Sequence, residues 1–242
     1  MRWSVGRLAL LLVFLPMGAE ALCRVTTVVV SGSSTVMPLA ELAAEEFNLI
    51  QERYRVNVKS GGSGVGIVDL AEGRADIAMT SRDLKLQERQ RYESPSKRFT
   101  EQMVGYDAIC LVVSPTVYDF GVTSLSRDQV RRIYSGSIVN WAELGGPNLE
   151  IFANGRRPGS GTMDTFNEII MGSREAETPG VDNVVGESSE VKFSTQRSDN
   201  AIGYMGYSFV MRGDARVISL EGIYPSIENI KNDSYPLARK LY

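Results

Sequence analysis

Strand-like and helix-like patterns of apolar residues alternate along the first third of the chain. Residues 25–30, VTTVVV, form a continuous β-branched run of the kind that is buried in a parallel sheet. Helical spacing of apolar residues follows over 38–50, and a second strand pattern lies at 55–60. A glycine-rich turn and helix pattern at 61–73 then precede a third strand pattern at 75–81. This alternation predicts an α/β fold.

Each strand pattern ends in a short turn rich in glycine and hydroxyl groups, and a fourth such turn, RRPGSGT at 156–162, precedes another helix pattern. In a doubly wound sheet these turns meet at one crevice, where helix N-termini present unpaired N–H donors and arginines add charge. We therefore predict that the turns bind a small oxyanion together, although each turn alone is also consistent with ordinary helix capping. The candidate binding residues are Ser33, Ser34, Thr35, Ser63, Gly64, Ser81, Arg82, Arg156, Ser160, Gly161 and Thr162.

Two long apolar segments, 104–113 and 201–207, flank a smaller α/β unit. We interpret them as crossings between two lobes, which would leave the ligand cleft at the hinge. The predicted division is a signal peptide at 1–21, a first lobe made of 24–106 and 207–242, and a second lobe at 107–206.

The first 21 residues have the pattern of a secretory signal peptide, with Arg2 and Arg7, a short apolar run and a cleavage site after Ala21. We therefore expect a periplasmic or secreted protein, since no later segment reaches the ~20 apolar residues of a membrane helix. Cys23 follows the cleavage site closely, which leaves a lipid anchor open. A Cys23–Cys110 disulfide also stays open, because an oxidising compartment permits it.

Composition excludes several classes of function. The complete chain has 26 basic and 29 acidic residues and no histidine. Without the signal peptide, 24 basic and 28 acidic residues remain, and this net charge of −4 argues against nucleic-acid binding. The absence of histidine excludes Ser-His-Asp triads and the common zinc sites. Ser160 and Gly161 also interrupt the phosphate-loop template of nucleotide hydrolases. We expect no catalysis, no metal and no cofactor.

The order of the motifs SGSSTVMPL, SGGSGVG, ADIAMTSRDL, YSGSIVNWAELGG, RRPGSGTMDTF and AIGYMGYSFV resembles that of the periplasmic phosphate-binding proteins of ABC phosphate transporters. The resemblance extends from about Val28 to Tyr207. It implies a two-lobed periplasmic-binding-protein-like fold that closes on one inorganic phosphate and delivers it to a membrane permease; we expect a monomer. By motif, the first lobe would contribute Ser34, Thr35, Ser63, Ser81 and Arg82, and the second Arg156, Ser160, Gly161 and Thr162.

Three features depart from the family pattern. Arg82 stands where some relatives carry an aspartate that accepts the proton of hydrogen phosphate, so Asp83 and Asp164 become the candidate acceptors. Met163 stands where many relatives have arginine. Relatives usually continue with a further C-terminal helix after the segment that ends this chain, YPLARKLY at 235–242, which indicates a compact or a truncated member.

Two other functions remain open. The protein could bind a different oxyanion, such as sulfate, molybdate or tungstate, because Arg82 and Arg156 would favour any dianion. It could also use the same fold and ligand-driven closure to signal phosphate supply to a membrane partner. A metal-free phosphoester hydrolase is a third and more distant alternative.

Overall fold

The computed structural model describes residues 25–211 and 213–242. The predicted signal peptide, 1–21, and Cys23 lie outside these ranges, so the predictions of an export signal, a lipid anchor and a Cys23–Cys110 disulfide remain predictions. Cys110 itself is fully buried, and burial raises the pKa of its thiol well above the ordinary value.

The first three strand patterns form a small parallel sheet with three helices. Its elements are β1 (Thr26–Gly32), α1 (Met37–Ile50), β2 (Tyr54–Ser60), α2 (Ser63–Ala71), β3 (Ile77–Met79) and α3 (Leu86–Tyr92). The strand order is β2-β1-β3, and the register pairs Val28 with Val56 and Val30 with Ile77. Because parallel strands need crossover connections, α1 and α2 return the chain to the same edge of the sheet. The turns that follow β1 and β3 therefore lie side by side.

The apolar stripe of α1 faces this sheet but leaves a groove open. Leu39 and Phe47 of the stripe are 48% and 40% exposed, and they line the groove with Val30, Val56 and Met79. Ala44 is the buried contact of the helix. The periodicity therefore predicts the helix and the face that it turns toward the sheet. How much of that face is buried depends on which other elements of the fold cover it.

The rest of the described chain forms a larger, mixed sheet. Its strands are β4 (Gly105–Val113), β5 (Ser124–Leu125), β6 (Phe152–Arg156), β7 (Asn183–Val185), β8 (Ala201–Gly206), β9 (Arg216–Leu220) and β10 (Ala238–Leu241). The helices are α4 (Pro115–Phe120), α5 (Arg127–Tyr134), α6 (Gly161–Phe166), α7 (Ser188–Arg197) and α8 (Ile227–Lys231). The strand order is β5-β9-β4-β8-β6-β7, and β10 pairs with β4. The alternation of strands and helices confirms the predicted α/β class.

Strand β4 lies at the centre of the larger sheet and is buried on both faces. Ile109 and Leu111 pack into the main hydrophobic core, whereas Cys110 and Val112 pack into a second cluster on the opposite face. Successive side chains of a strand point to opposite faces. The continuous apolar run of β4 is therefore the pattern that burial on both faces requires.

The C-terminal strands β9 and β10 belong to the larger sheet, and the placement of 207–242 in the first lobe stays a prediction. Strand β9 pairs with β4, with Leu111 opposite Ile218, because both strands bury apolar side chains in the same core. The backbone of Tyr242 also exchanges two hydrogen bonds with Thr80, at 2.8 and 2.9 Å. The end of the chain thus joins the larger sheet to the turn after β3, and the exact lobe boundaries remain a prediction.

The longest of the described helices, α1, has 14 residues. No helix in the described ranges is both long and apolar enough to cross a bilayer.

Candidate functional site

The four predicted turns meet between the two sheets. Thr35 Oγ1 of the turn after β1 lies 3.2 Å from Thr162 Oγ1 of α6. Ser63 Oγ, at the start of α2, lies 3.3 Å from Ser81 Oγ in the turn after β3. The Gly64 N–H donates to the Gly159 carbonyl at 3.0 Å. Residues far apart in the sequence therefore form one polar cluster, as the sequence predicts.

The hydroxyl groups of this cluster are withdrawn from solvent. The following side chains are at least 95% buried: Ser33, Ser34, Thr35, Ser63, Ser81, Ser160 and Thr162. Gly161 is buried with them. Buried polar groups need hydrogen-bond partners, so such a concentration of hydroxyls is suited to a polar ligand.

Two glycines allow the turns to approach this closely. A side-chain carbon at Gly161 would lie 2.3 Å from Ser63 Oγ and 2.7 Å from Ser81 Oγ. Gly32, at the end of β1, has φ +138°, and a side-chain carbon there would lie 2.3 Å from the Met79 carbonyl oxygen. Any larger residue at either position would push the turns of the cluster apart.

Arg156, at the end of β6, carries the positive charge that is aimed into the cluster. Its guanidinium donates to Ser188 Oγ at 2.8 Å, to the Gly186 carbonyl at 2.6 Å and to Ser34 Oγ at 3.3 Å. The side chain is buried, and its Nε has no hydrogen-bond partner among the described residues. None of the described carboxylates forms an ion pair with it, and burial lowers its pKa.

A packed aromatic cluster holds Arg156 in place. The Arg156 N–H donates to Tyr204 Oη at 3.3 Å, and Tyr204 stacks on Phe166 of α6 with ring centroids 3.9 Å apart. Tyr134 packs edge-on against Phe166 at 4.7 Å. Burial raises the pKa of Tyr204, which keeps its hydroxyl neutral. The aromatic rings thereby fix β6 relative to α6.

Arg82 has different partners from those that the sequence predicts. Its Nε donates to Asp164 at 2.7 Å, and its two terminal nitrogens donate to Glu88 at 2.9 and 2.7 Å. Burial tends to lower the pKa of Arg82, but Glu88 and Asp164 together outweigh that effect and raise it. The Arg82 charge is therefore matched by carboxylates on α3 and α6 and is not directed at the hydroxyl cluster.

The two predicted proton acceptors are also engaged elsewhere. Asp164 accepts from Arg82 and forms a second ion pair with Lys85 at 3.1 Å. Asp83 is exposed and accepts a hydrogen bond from the Tyr242 hydroxyl. Neither carboxylate faces the cluster as a free acceptor in the described structure.

Sequence reasoning missed the buried pair Asp107–Arg239. Arg239 Nε and Nη2 donate to Asp107 Oδ2 at 2.8 and 2.7 Å, and Arg239 also reaches Thr162 and Thr35. The only local signal is Asp107, a single charge beside the apolar run of β4, because a charge buried in a strand requires a partner. That partner lies 132 residues away and carries no local signature.

Ser188, at the start of α7, is a second missed residue. It is fully buried and accepts from Arg156, but in the sequence it is one of two adjacent serines at an ordinary helix start.

Known proteins resemble this chain over most of its length. The family model of the PBP superfamily domain matches residues 18–242. The phosphate-binding protein PstS of Bacillus subtilis is 31% identical over 86% of this chain, and the match spans 66% of that protein's own length, slightly less than two thirds.

Solved structures give the same result. A Clostridium perfringens substrate-binding protein, assigned to phosphate ABC transport and crystallised with bound phosphate, is 33% identical with a TM-score of 0.80, and the match covers 89% of this chain and 84% of that one. An ABC-type phosphate transport receptor from Vibrio cholerae is 30% identical with a TM-score of 0.69, and that match covers 88% and 84%. These matches confirm the resemblance predicted from the order of the motifs.

Proposed function

The chain belongs to the PBP superfamily, and from this premise we propose that it binds inorganic phosphate between its two sheets and delivers it to the permease of an ABC importer. The relatives that it resembles are named as phosphate-binding and phosphate-transport proteins. The proposal includes no catalytic step, a monomeric protein and a periplasmic or secreted location.

The observation that carries the proposal is the state of Arg156. A buried guanidinium without a carboxylate partner is an uncompensated charge, and leaving such a charge unpaired costs about 3–5 kcal/mol. An anion in the cluster would compensate it and would also give the unpartnered Nε an acceptor. Arg82, which is equally buried, has two carboxylates and no such need.

The surrounding groups match an oxyanion in number and type. We propose that Arg156 and the donors of Ser33, Ser34, Thr35, Ser63, Ser81, Ser160, Gly161 and Thr162 surround the phosphate oxygens. The N–H of Gly64 already donates to the Gly159 carbonyl, so we propose that Gly64 holds two of the turns together instead of contacting the ligand. Hydrogen bonds to a charged group contribute about 1.5–3 kcal/mol each. The summed free energy of several such hydrogen bonds exceeds the roughly 8 kcal/mol that micromolar affinity requires, even after the entropic cost of association. The proposed site thus requires neither a metal nor a cofactor.

Arg82 has a separate part in the proposal. Asp164 belongs to α6 beside the larger sheet, whereas Arg82 and Glu88 belong to the smaller lobe. We propose that this ion pair holds the two lobes together once they have closed on the ligand. Arg82 would therefore act on affinity through closure and not through direct contact.

Calorimetric titration at fixed salt with phosphate, sulfate, molybdate and tungstate tests the proposal. We expect phosphate to bind with micromolar or tighter affinity and to raise the melting temperature. Heat from molybdate or tungstate without heat from phosphate would favour binding of another oxyanion. The absence of heat and of thermal stabilisation with phosphate would refute the proposed function.

A further inference from the structure

Arg156 and the turn that begins helix α7 lie at the ends of two neighbouring strands. Strands β6 and β7 run parallel, and Arg156, the last residue of β6, is the register partner of Val185, the last residue of β7. The Arg157 N–H donates to the Val185 carbonyl at 3.0 Å. Residues 186–188 follow β7 directly, and α7 begins at Ser188. This turn therefore passes beside Arg156.

The turn contacts the Arg156 guanidinium through two neutral acceptors. Ser188 Oγ accepts from Nη1 at 2.8 Å, and the Gly186 carbonyl accepts from Nη2 at 2.6 Å. The third hydrogen bond, from Nη2 to Ser34 Oγ in the turn after β1, is the longest at 3.3 Å. Neutral acceptors orient a guanidinium but leave its charge unmatched, whereas a carboxylate would neutralise that charge.

Asn154 fixes this turn relative to β6. It is fully buried and lies two residues before Arg156, on the same face of the strand. Its Oδ1 accepts from Asn183 of β7 at 2.9 Å and from Ser194 of α7 at 2.8 Å. Its Nδ2 donates to the Ile202 carbonyl of β8 at 3.1 Å. One side-chain amide thus ties three elements to β6 and holds α7 beside Arg156 without any ligand.

We propose that Ser188 is a positioning residue: together with the Gly186 carbonyl it occupies the Nη1–Nη2 edge of Arg156 and thereby turns the Nε–Nη2 edge toward the hydroxyl cluster. Arginine presents its donors as a rigid planar fork, so fixing one edge fixes the direction of the other. Nε is the nitrogen that has no partner among the described residues. Binding by Nε and Nη2 together requires two oxygens on one central atom, which phosphate supplies. This inference rests on the proposed phosphate site and defines how the arginine meets the ligand.

The Ser188 hydroxyl has no other partner in the described part of the chain. The side chain is fully buried, and Arg156 is the only described residue with which its Oγ forms a hydrogen bond. Capping of α7 does not depend on this hydroxyl, because the N-cap is Glu187, whose N–H donates to the Glu190 carboxylate at 2.8 Å. Removal of the hydroxyl should therefore act on Arg156 and leave the start of α7 intact.

A double-mutant cycle tests the inference, with phosphate affinity measured by calorimetry for the wild type, Ser188→Ala, Arg156→Ala and the double variant. We expect Ser188→Ala to bind about tenfold more weakly, because Nη1 loses its acceptor and the guanidinium is no longer held in one orientation. In the Arg156→Ala background the same replacement should change the affinity by less than about twofold, since Ser188 acts only through Arg156. Ser188→Thr keeps the hydroxyl and should bind within about threefold of the wild type. Ser189→Ala, at the adjacent exposed serine, is the matched control and should bind as the wild type does.

A Ser188→Ala variant with wild-type affinity overturns the inference. Equal losses from Ser188→Ala with and without Arg156 also overturn it, because they would show that Ser188 contacts the ligand itself or supports the fold in general. If Arg156→Ala leaves no measurable binding, Ser188→Thr decides, and an affinity as weak as that of Ser188→Ala overturns the inference. Absence of phosphate binding by the wild type refutes the proposed function and this inference with it, whereas binding that Ser188→Ala leaves unchanged refutes this inference alone.

Discussion

Three arginines of this protein show how neighbours decide the role of a residue. Arg156 is buried with hydroxyl and carbonyl partners and no carboxylate, whereas Arg82 is buried between Glu88 and Asp164. Arg157 follows Arg156 directly, but half of its side chain is exposed, and its Nη2 lies 3.8 Å from Glu187 Oε1. Only Arg156 combines burial with an unmatched charge, so it is the residue whose loss should affect ligand binding most directly.

Replacement of Arg156 by alanine should weaken phosphate binding about tenfold or more, because the ligand loses its direct charge partner. Calorimetry measures the affinity, and circular dichroism with thermal melting checks that the variant folds. Arg157→Ala is the matched control, since it removes the same charge one residue away from an exposed site, and its affinity should stay within about twofold of the wild type. Equal affinities for the two variants would remove Arg156 from the site.

At the scale of secondary-structure elements, α3 and α6 are linked by a buried charge network. Asp164 on α6 accepts from Arg82 and Lys85, which lie in the segment between β3 and α3. Glu88 caps α3 through the Lys85 N–H at 2.8 Å while it pairs with Arg82. Arg82 and Lys85 together hold the pKa of Glu88 below its ordinary value against the opposing effect of burial. The same charge network therefore caps the start of α3 and links it to α6.

Replacement of Asp164 by asparagine should loosen this contact. Arg82 keeps Glu88, so we expect a loss of about 1–3 kcal/mol in the free energy of unfolding, as for a hydrogen bond to a charged group. Phosphate should also dissociate several-fold faster, because the closed lobes lose a link that does not involve the ligand. Urea unfolding and stopped-flow release measure the two effects.

The control for this prediction is Glu168→Gln. Glu168 pairs with Arg174 near the same end of the molecule, but its side chain is 48% exposed, and exposed pairs contribute about 0–1 kcal/mol. A release rate for Asp164→Asn equal to that of Glu168→Gln would show that the buried network has no part in closure.

At the scale of the whole molecule, the C-terminal strand connects the two sheets beneath the site. Strand β10 pairs with β4 in the larger sheet, and the residue after it, Tyr242, pairs with Thr80 at the end of the smaller one. Arg239 on the same strand contacts a threonine from each side of the cleft. The site is thus assembled from both sheets, and neither sheet alone contains its full set of donors.

A ligand held in this way should protect both lobes at once. We expect saturating phosphate to slow amide hydrogen exchange in the turns 33–37, 63–66 and 160–164 together, because contacts with both lobes lower the frequency of opening. Helix α8, 227–231, contains none of the proposed ligand-binding residues and should exchange at the same rate with and without phosphate. Protection confined to one lobe would contradict a ligand that bridges the two.

The sequence by itself determined the features that depend on local order. The β-branched run of β1, the hydroxyl-rich turns and the glycines beside them are local patterns, and they led to the α/β class, to Arg156 with its neighbouring hydroxyls, and to the family. Only the tertiary structure decided which charges meet. Arg82 pairs with Asp164, which lies 82 residues away in the sequence. Arg239 pairs with Asp107, which lies 132 residues away on the neighbouring strand. The reason is physical, because side-chain periodicity reports which face of an element is buried, whereas the partner of a buried charge depends on how the elements pack.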